Sequence, residues 1–130
     1  MSALLETVPN FSEGRDRGVL RALIDAMQGA GVDVLDASMD PDHHRSVITA
    51  VGGPDDIVLA LTRAAEVALE CIDLTRHRGV HPRVGALDVA PVVPLAGTAR
   101  AVAEQVANRV GHAIAGLGIP VWWYAWSSPD

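Results

Sequence analysis

The sequence predicts an α+β fold, a ferredoxin-like sandwich with helices on one face of a mainly antiparallel sheet. Three stretches with apolar residues every three or four positions predict helices, and five short apolar runs predict strands. Their order, β-α-β-β-α-β-α-β, matches the split β-α-β arrangement with an added α-β. With 130 residues, 49% of them hydrophobic and 20% charged, the chain is expected to form one domain, residues 1–130.

The first half of the chain supplies one helix and three strands. The strand Leu4–Val8 is followed by a turn over Pro9–Gly14. A helix is predicted from Asp16 to the glycines at positions 29 and 31. Its apolar stripe consists of Val19, Leu20, Leu23, Ile24 and Met27. Strands 32–39 and 46–51 flank the charged turn Asp40–Arg45, so we expect them to pair as a hairpin.

The second half supplies two helices and two strands. Pro54 and the carboxylates after it are typical of a helix start. The buried stripe of this helix is predicted to be Ile57, Leu61, Ala64, Ala65, Ala68 and Ile72. A strand to about Leu95 comes next, and Pro91 and Pro94 predict that it is irregular or lies at an edge. Thr98 is expected to cap the third helix, which carries Val102, Val106, Val110 and Ile114. The last predicted strand is Ile119–Trp126.

Charge and composition exclude several classes of function. The net charge is −6, so a broad nucleic-acid-binding face is not expected. All ten basic residues are arginine, which excludes a Schiff-base lysine and a P-loop lysine. No apolar run is long enough to span a membrane, and the N-terminal residues lack a signal core, so we expect a soluble cytoplasmic protein. The single cysteine, Cys71, is expected to be a buried small hydrophobe.

The segment Arg76–Asp88 concentrates the chemically active side chains. It holds two of the five histidines and three of the ten arginines, and two glycines and a proline exclude an ordinary helix. His81 precedes Pro82, which favours an extended backbone. An imidazole titrates near neutral pH, so His81 is a candidate general acid and base. The surrounding arginines could hold substrate carboxylates.

Two alternatives remain open at this point. Two pairs of histidines could hold a metal ion: His77 with His81, and His43 with His44 near Asp40 and Asp42. The i, i+4 pair chelates zinc when it lies on a helix, and the glycine and proline beside His81 argue against a helix there. A small metal-dependent hydrolase is therefore the least favoured function. Spacing alone also leaves open that His81 is a loop histidine bonded only to backbone.

Three separated stretches of the chain carry a resemblance to a known family. They are Val8–Arg15, Asp40–Val47 and Ile72–Val89, the last containing His81-Pro82-Arg83 followed by Gly85-Ala86-Leu87-Asp88. In this order they resemble the signatures of the glutamate formiminotransferase family. The resemblance covers about residues 4–124 and corresponds to the N-terminal subdomain of that family.

The resemblance implies a reaction and a set of site residues. A formimino group would move from N-formimino-L-glutamate to N5 of tetrahydrofolate, the co-substrate, in histidine degradation and one-carbon metabolism, without a metal. It implies that His81 is the catalytic residue. The substrate-binding candidates are Asn10, Ser12, Glu13, Asp40, Arg45, Arg76, Arg78, Arg83 and Asp88. For Asp36, Asp40 and Asp88, a role as turn formers or solvated strand ends is equally open.

The chain also departs from the family pattern. It matches the first of two similarly folded halves between which the family binds folate, and Tyr124–Ser127 stands where the family has a Tyr-Gly-Glu-type turn. Val80 stands where the family often has Glu. The predicted sheet also has one uncovered face, so we expect a homodimer or a partner with the second half to complete the pocket. The resemblance favours an enzyme, a one-carbon transferase; the alternative is a non-catalytic folate-binding or protein-interaction module.

Overall fold

The computed structural model describes residues 3–11, 16–43, 45–71, 87–89 and 92–117, which form six strands and three helices. The strands are β1 Leu5–Thr7, β2 Asn10–Phe11, β3 Asp33–Asp40, β4 Arg45–Gly52, β5 Leu87–Val89 and β6 Val92–Pro94. The helices are α1 Arg17–Gly29, α2 Pro54–Cys71 and α3 Arg100–Ala115. The predicted last strand, Ile119–Trp126, lies outside the described residues.

The six strands form one antiparallel sheet with four rows, in the order β3, β4, β1 with β2, and β6 with β5. Counted along the chain, the first row is β1 with β2, the second is β3, the third is β4 and the fourth is β5 with β6. The first row lies between the third and the fourth, and the second lies at the outside, as the split β-α-β arrangement requires. The three helices and the open antiparallel sheet confirm the predicted α+β sandwich. The predicted hairpin of β3 and β4 is also confirmed.

The predicted turn over Pro9–Gly14 is wrong at its start, because Asn10 and Phe11 are paired on both sides. They lie opposite Val47 and Ser46 of β4, in the register that β1 already has with that strand. Pro9 cannot donate a backbone hydrogen bond, but its carbonyl oxygen accepts one from Ile48 N at 3.2 Å. The proline therefore interrupts the ladder without ending the row.

Burial alternates along the central rows and separates two faces of the sheet. In β4, Ser46, Ile48 and Ala50 are fully buried against the helices, whereas the residues between them are half-buried. In the neighbouring row, Leu5, Thr7, Pro9 and Phe11 are buried and the residues between them are half-buried. The helices therefore cover one face, as predicted. We call the other side, which no described element covers, the open face; it carries Glu6, Val8, Asn10, Asp33, Asp36, Ser38, Asp40, Arg45, Val47, Thr49, Val51 and Val93.

The core lies between the sheet and the three helices, with α2 packed against both α1 and α3. The predicted stripe of α2 is confirmed for Ile57, Leu61, Ala64, Ala65 and Ala68, all fully buried, and Ile72 lies outside the described residues. Cys71 ends α2 and is exposed, so its predicted burial is wrong. In the part of the chain that is described, no helix is both long enough and apolar enough to cross a membrane.

The helix starts show one confirmed and one wrong prediction. Asp16 precedes α1, and its Oδ1 accepts hydrogen bonds from Gly18 N at 2.8 Å and Val19 N at 3.3 Å, as an N-cap does. Thr98 does not cap α3, because the N-cap position is Ala99. The Thr98 hydroxyl instead accepts a hydrogen bond from Leu4 N at 2.9 Å, which ties the N-terminal segment to the loop before α3.

The outer row of the sheet, β3, contains an irregularity. Val34 lies opposite Ala50 and Asp36 opposite Thr49, so Leu35 is an extra residue, as in a β-bulge. Leu35 is 60% exposed. Among the described residues, β3 pairs only with β4, so its outer edge is unpaired.

Two glycines at the end of α1 give a matched pair of substitutions. Gly31 has φ of 110°, and a Cβ there would lie 3.0 Å from Asp56 Cγ, whereas a Cβ on Gly29 would meet nothing within 4 Å. We expect Gly31→Ala to lower the free energy of unfolding by about 1–2 kcal/mol and Gly29→Ala to raise it by about 0.5–1 kcal/mol. Urea unfolding of both variants measures the difference; equal effects would contradict the strained role of Gly31.

Candidate functional site

The described parts of the three sequence motifs meet at one end of the sheet. Phe11 ends β2 and lies opposite Ser46, one residue from Arg45, where β4 begins. Arg45 lies opposite Asp40, where β3 ends. Leu87, where β5 begins, lies opposite Phe11. The chain therefore leaves β2 towards Ser12, turns from β3 to β4, and enters β5 from the His81 segment, all at this end. We call it the motif end.

Asn10 lies on the open face near the motif end. It sits between Val47 of β4 and Val89 of β5, and it is half-buried. Its Nδ2 donates a hydrogen bond to the carbonyl oxygen of Val8 at 3.2 Å. This local bond uses one amide donor and leaves Oδ1, for which the described residues provide no donor, as an acceptor.

Asp40 organises the turn between β3 and β4. Its Oδ1 accepts hydrogen bonds from Asp42 N at 3.0 Å and His43 N at 3.3 Å, and its Oδ2 accepts one from His43 Nδ1 at 2.6 Å. These bonds, first of all that from the His43 side chain, lower the pKa of Asp40 below the ordinary value of 3.8. Asp40 therefore has a structural role that the sequence left open, and the ring of His43 is held with Nδ1 as the donor.

The pH dependence of this turn is a direct prediction. Because the folded pKa of Asp40 lies below the unfolded one, its stabilisation is fully present above the unfolded value, and it is lost as pH falls through the folded pKa. An NMR titration of the Asp40 carboxyl should give a midpoint below 3.8. His43→Ala should raise that midpoint, and His112→Ala, on α3, should not. A midpoint unchanged by His43→Ala would show that the ring does not hold the carboxylate.

Arg45 is exposed on the open face at the motif end. The described part of the chain contains no ion-pair partner for it. Its guanidinium has five N–H donors in a planar fork that fits a carboxylate, so it can bind an anionic ligand. The backbone of Asp88 lies between Leu87 and Val89, where β5 shifts register against β2. Asp88 therefore belongs to the same end of the sheet.

Several predicted site residues lie outside the described residues: Ser12, Glu13, Arg76, Arg78, His81 and Arg83. Their roles stay predictions. His77 and His44, from the metal alternative, are also outside. Among the described residues no three His, Cys, Asp or Glu side chains cluster as metal ligands.

Glu6, which was not predicted as a site residue, lies on the open face at the end opposite the motif end. It sits between Val51 and Val93 and is half-buried. No hydrogen bond or ion pair to the Glu6 side chain is formed by the described residues. A carboxylate between two valines in a strand with alternating burial is the signal that could have identified it. A half-buried carboxylate of this kind favours a cationic or donor group above it.

Comparison with known proteins identifies similar sequences. Residues 4–130 match the family model described as formiminotransferase domain, N-terminal subdomain. A glutamate formimidoyltransferase of Thermoplasma acidophilum is 46% identical over 125 residues, which make up 95% of this chain and 41% of that protein. A glutamate formimidoyltransferase of Streptococcus pyogenes is 40% identical over 129 residues, 95% of this chain and 42% of that protein.

A longer relative matches as well. A formimidoyltransferase-cyclodeaminase of Sus scrofa is 43% identical over 126 residues, which make up 95% of this chain but 23% of that protein. The chain thus spans between 23% and 42% of the length of these relatives.

Proposed function

Because the chain belongs to the formiminotransferase family and matches its N-terminal subdomain, we propose that it carries the acid–base half of a glutamate formimidoyltransferase site. The reaction moves a formimino group from N-formimino-L-glutamate to tetrahydrofolate. The observation that supports the proposal is that the described parts of three motif segments meet at one end of the sheet. Residues far apart in sequence are brought together there by strand pairing.

His81 is the proposed acid and base, and one imidazole suffices for both proton transfers. N5 of tetrahydrofolate attacks the formimino carbon, a carbon–nitrogen bond forms, and the N5 proton passes to His81. The bond between that carbon and the glutamate nitrogen then breaks as the imidazolium returns the proton to the departing nitrogen. The products are the N5-formimino folate and glutamate, and no external oxidant or reductant is needed.

The substrate carboxylates are assigned to arginines of the same segments. Arg45, exposed at the motif end, supports this assignment, and Arg76, Arg78 and Arg83 are proposed on sequence alone. Asn10, which lies on the open face and has Oδ1 as an acceptor, suits a donor group such as the formimino nitrogen. Ser12, Glu13, Asp40 and Asp88 complete the proposed binding set.

The pocket is proposed to need a second layer over the open face. The valines and half-buried polar groups of this face support the need for a cover. The relatives extend well beyond the matched region, which is compatible with a cover supplied by a second half or by a homodimer. A cytoplasmic location stays a prediction from the sequence.

The test is a transfer assay with the purified chain, over a range of chain concentrations and with a separately expressed second half of the Thermoplasma acidophilum relative. Formation of glutamate that requires both N-formimino-L-glutamate and tetrahydrofolate is the expected result. Each substrate omitted in turn is the control. No transfer under any of these conditions would contradict an acid–base role for this chain.

A second candidate function is a folate-binding module without catalysis, which the same open face and arginine favour. Isothermal titration with folinic acid separates the two. Binding without transfer would support the module, and no binding at millimolar folinic acid would contradict both functions.

A further inference from the structure

The side chain of His43 lies at the motif end, where Asp40 ties it to the open face. Asp40 is the last residue of β3 and lies directly opposite Arg45. Because His43 Nδ1 and Asp40 Oδ2 are 2.6 Å apart, the imidazole ring lies beside this carboxylate. Residues that carry an imidazole, a carboxylate and a guanidinium are therefore neighbours at one corner of the sheet.

The carboxylate of Asp40 decides which ring nitrogen of His43 carries the hydrogen. Its Oδ1 accepts hydrogen bonds from Asp42 N and His43 N, which hold the carboxylate in the turn. The pKa of Asp40 is lowered, first of all by the bond from the His43 side chain, so at neutral pH the ionised carboxylate only accepts. Nδ1 of His43 therefore carries a hydrogen, and the neutral ring has its lone pair on Nε2.

Nε2 of His43 is accessible to a ligand. The His43 side chain is 74% exposed, and no described residue forms a hydrogen bond with Nε2. A histidine without a fixed tautomer can donate or accept at this nitrogen, whereas the neutral His43 ring, with its hydrogen held at Nδ1, only accepts there. Such a nitrogen distinguishes a ligand group that donates from one that accepts.

From this geometry we propose that His43, positioned by Asp40, is a specificity-determining residue whose Nε2 accepts a hydrogen bond from the formimino group of N-formimino-L-glutamate. The inference rests on the proposed function and names the side chain that recognises the transferred group. In this substrate the formimino group and a carboxylate are attached to the same carbon, so they match neighbouring His43 and Arg45. Both formimino nitrogens carry hydrogen, so Asn10 and His43 accept from different N–H groups.

The consequence is a preference for a formimino over a formyl group. N-formyl-L-glutamate has the same skeleton and both carboxylates, but a carbonyl oxygen replaces the terminal formimino nitrogen. The formimino group is a strong base that is protonated at neutral pH, so its terminal nitrogen donates, whereas the formyl oxygen only accepts. The Nε2 lone pair attracts the first and repels the second. One hydrogen bond to a charged group corresponds to about tenfold in affinity.

The test is an NMR titration of the full chain with each ligand up to millimolar concentration, alone and with the separately expressed second half of the Thermoplasma acidophilum relative. The unmodified protein should bind N-formimino-L-glutamate about tenfold more tightly than N-formyl-L-glutamate. His43→Ala should remove most of this preference. His43→Gln should keep part of it, because glutamine can donate to Asp40 and accept from the ligand. His112→Ala, on α3, should keep all of it.

Asp40→Asn should reverse the preference. The asparagine oxygen can keep the two backbone hydrogen bonds, which turns its NH2 group towards the His43 ring. Nδ1 then accepts, the hydrogen moves to Nε2, and the ring donates to a formyl oxygen. Long-range proton–nitrogen NMR spectra of the ring report the tautomer in each variant, and circular dichroism confirms folding. Asp33→Asn, the same change at the other end of β3, should alter neither the tautomer nor the preference.

The possible failures separate this inference from the proposed function. Equal affinities of the unmodified protein for the two ligands, or a preference that His43→Ala leaves intact, would overturn the inference and leave the proposed function in place. A neutral His43 ring with its hydrogen on Nε2 in the unmodified protein would do the same. No binding of N-formimino-L-glutamate, alone or with the second half, would overturn both. A preference that depends on His43 without any transfer would contradict the proposed catalysis alone.

Discussion

His81→Ala is expected to lower kcat/KM for formimino transfer by about 10²- to 10⁴-fold. This is the range that a positioned acid–base group contributes, because without it neither the N5 proton nor the proton for the leaving nitrogen has a carrier at the site. Glutamate release in the two-substrate assay measures the effect. Added imidazole should restore part of the rate, since it can carry the same protons without being attached to the chain.

The control for this substitution is His112→Ala. His112 is exposed in the last turn of α3, on a different element from the motif segments, and its removal should leave the rate unchanged. Folinic acid binding to His81→Ala should also persist, because the proposed role of His81 is proton transfer. Full activity of His81→Ala would remove this residue from the mechanism, and a loss of binding equal to the loss of rate would make it a binding residue.

Leu61→Ala should lower the free energy of unfolding by about 3 kcal/mol. Leu61 is fully buried in α2, the helix that contacts both other helices, so its removal leaves a cavity that neighbours on several elements cannot fill. Urea unfolding gives the change as a shift of the midpoint at constant slope. A marked decrease in slope would instead indicate that the unfolding is no longer two-state.

Leu59→Ala is the matched control on the same helix. Leu59 is 40% exposed, so the same change in side chain should cost less than about 1 kcal/mol. If both substitutions cost the same, the core would not lie where the helices meet the sheet. The pair tests the packing of α2 independently of any function.

The fold could be predicted because the local signals agree with the tertiary arrangement. The stripe of α2 consists of residues that the structure buries, and the turn Asp40–Arg45 lies between two strands that pair. In both cases a short-range pattern fixes the result. The irregularity expected from Pro91 lies outside the described residues, and Pro94 ends β6.

The errors arise where a distant partner decides the outcome. Asn10 and Phe11 look like a turn after Pro9, but strands on both sides hold them in the sheet. Thr98 is a good helix cap locally, and its hydroxyl is used by Leu4, 94 residues away. Cys71 follows the apolar pattern of α2, yet it lies at the last position of the helix, where exposure is no longer set by the stripe.

The candidate site was predicted in part. Asn10, Asp40 and Arg45 come together because β2, β3 and β4 are neighbours, and the motifs indicated their importance without indicating this arrangement. The bond between Asp40 and His43 and the position of Glu6 depend on turn geometry and on register. Neither can be obtained from residue spacing. Asp40 and His43 would have the same spacing in a solvated turn without this bond, and the residues around Glu6 would have the same spacing in an ordinary strand.

The irregular outer strand β3 has a consequence for how this protein can assemble. An extra residue at Leu35 and carboxylates at Asp33, Asp36 and Asp40 make this edge a poor template for another strand. Lateral growth of the sheet from copy to copy is thereby discouraged, and with it the route to fibrils.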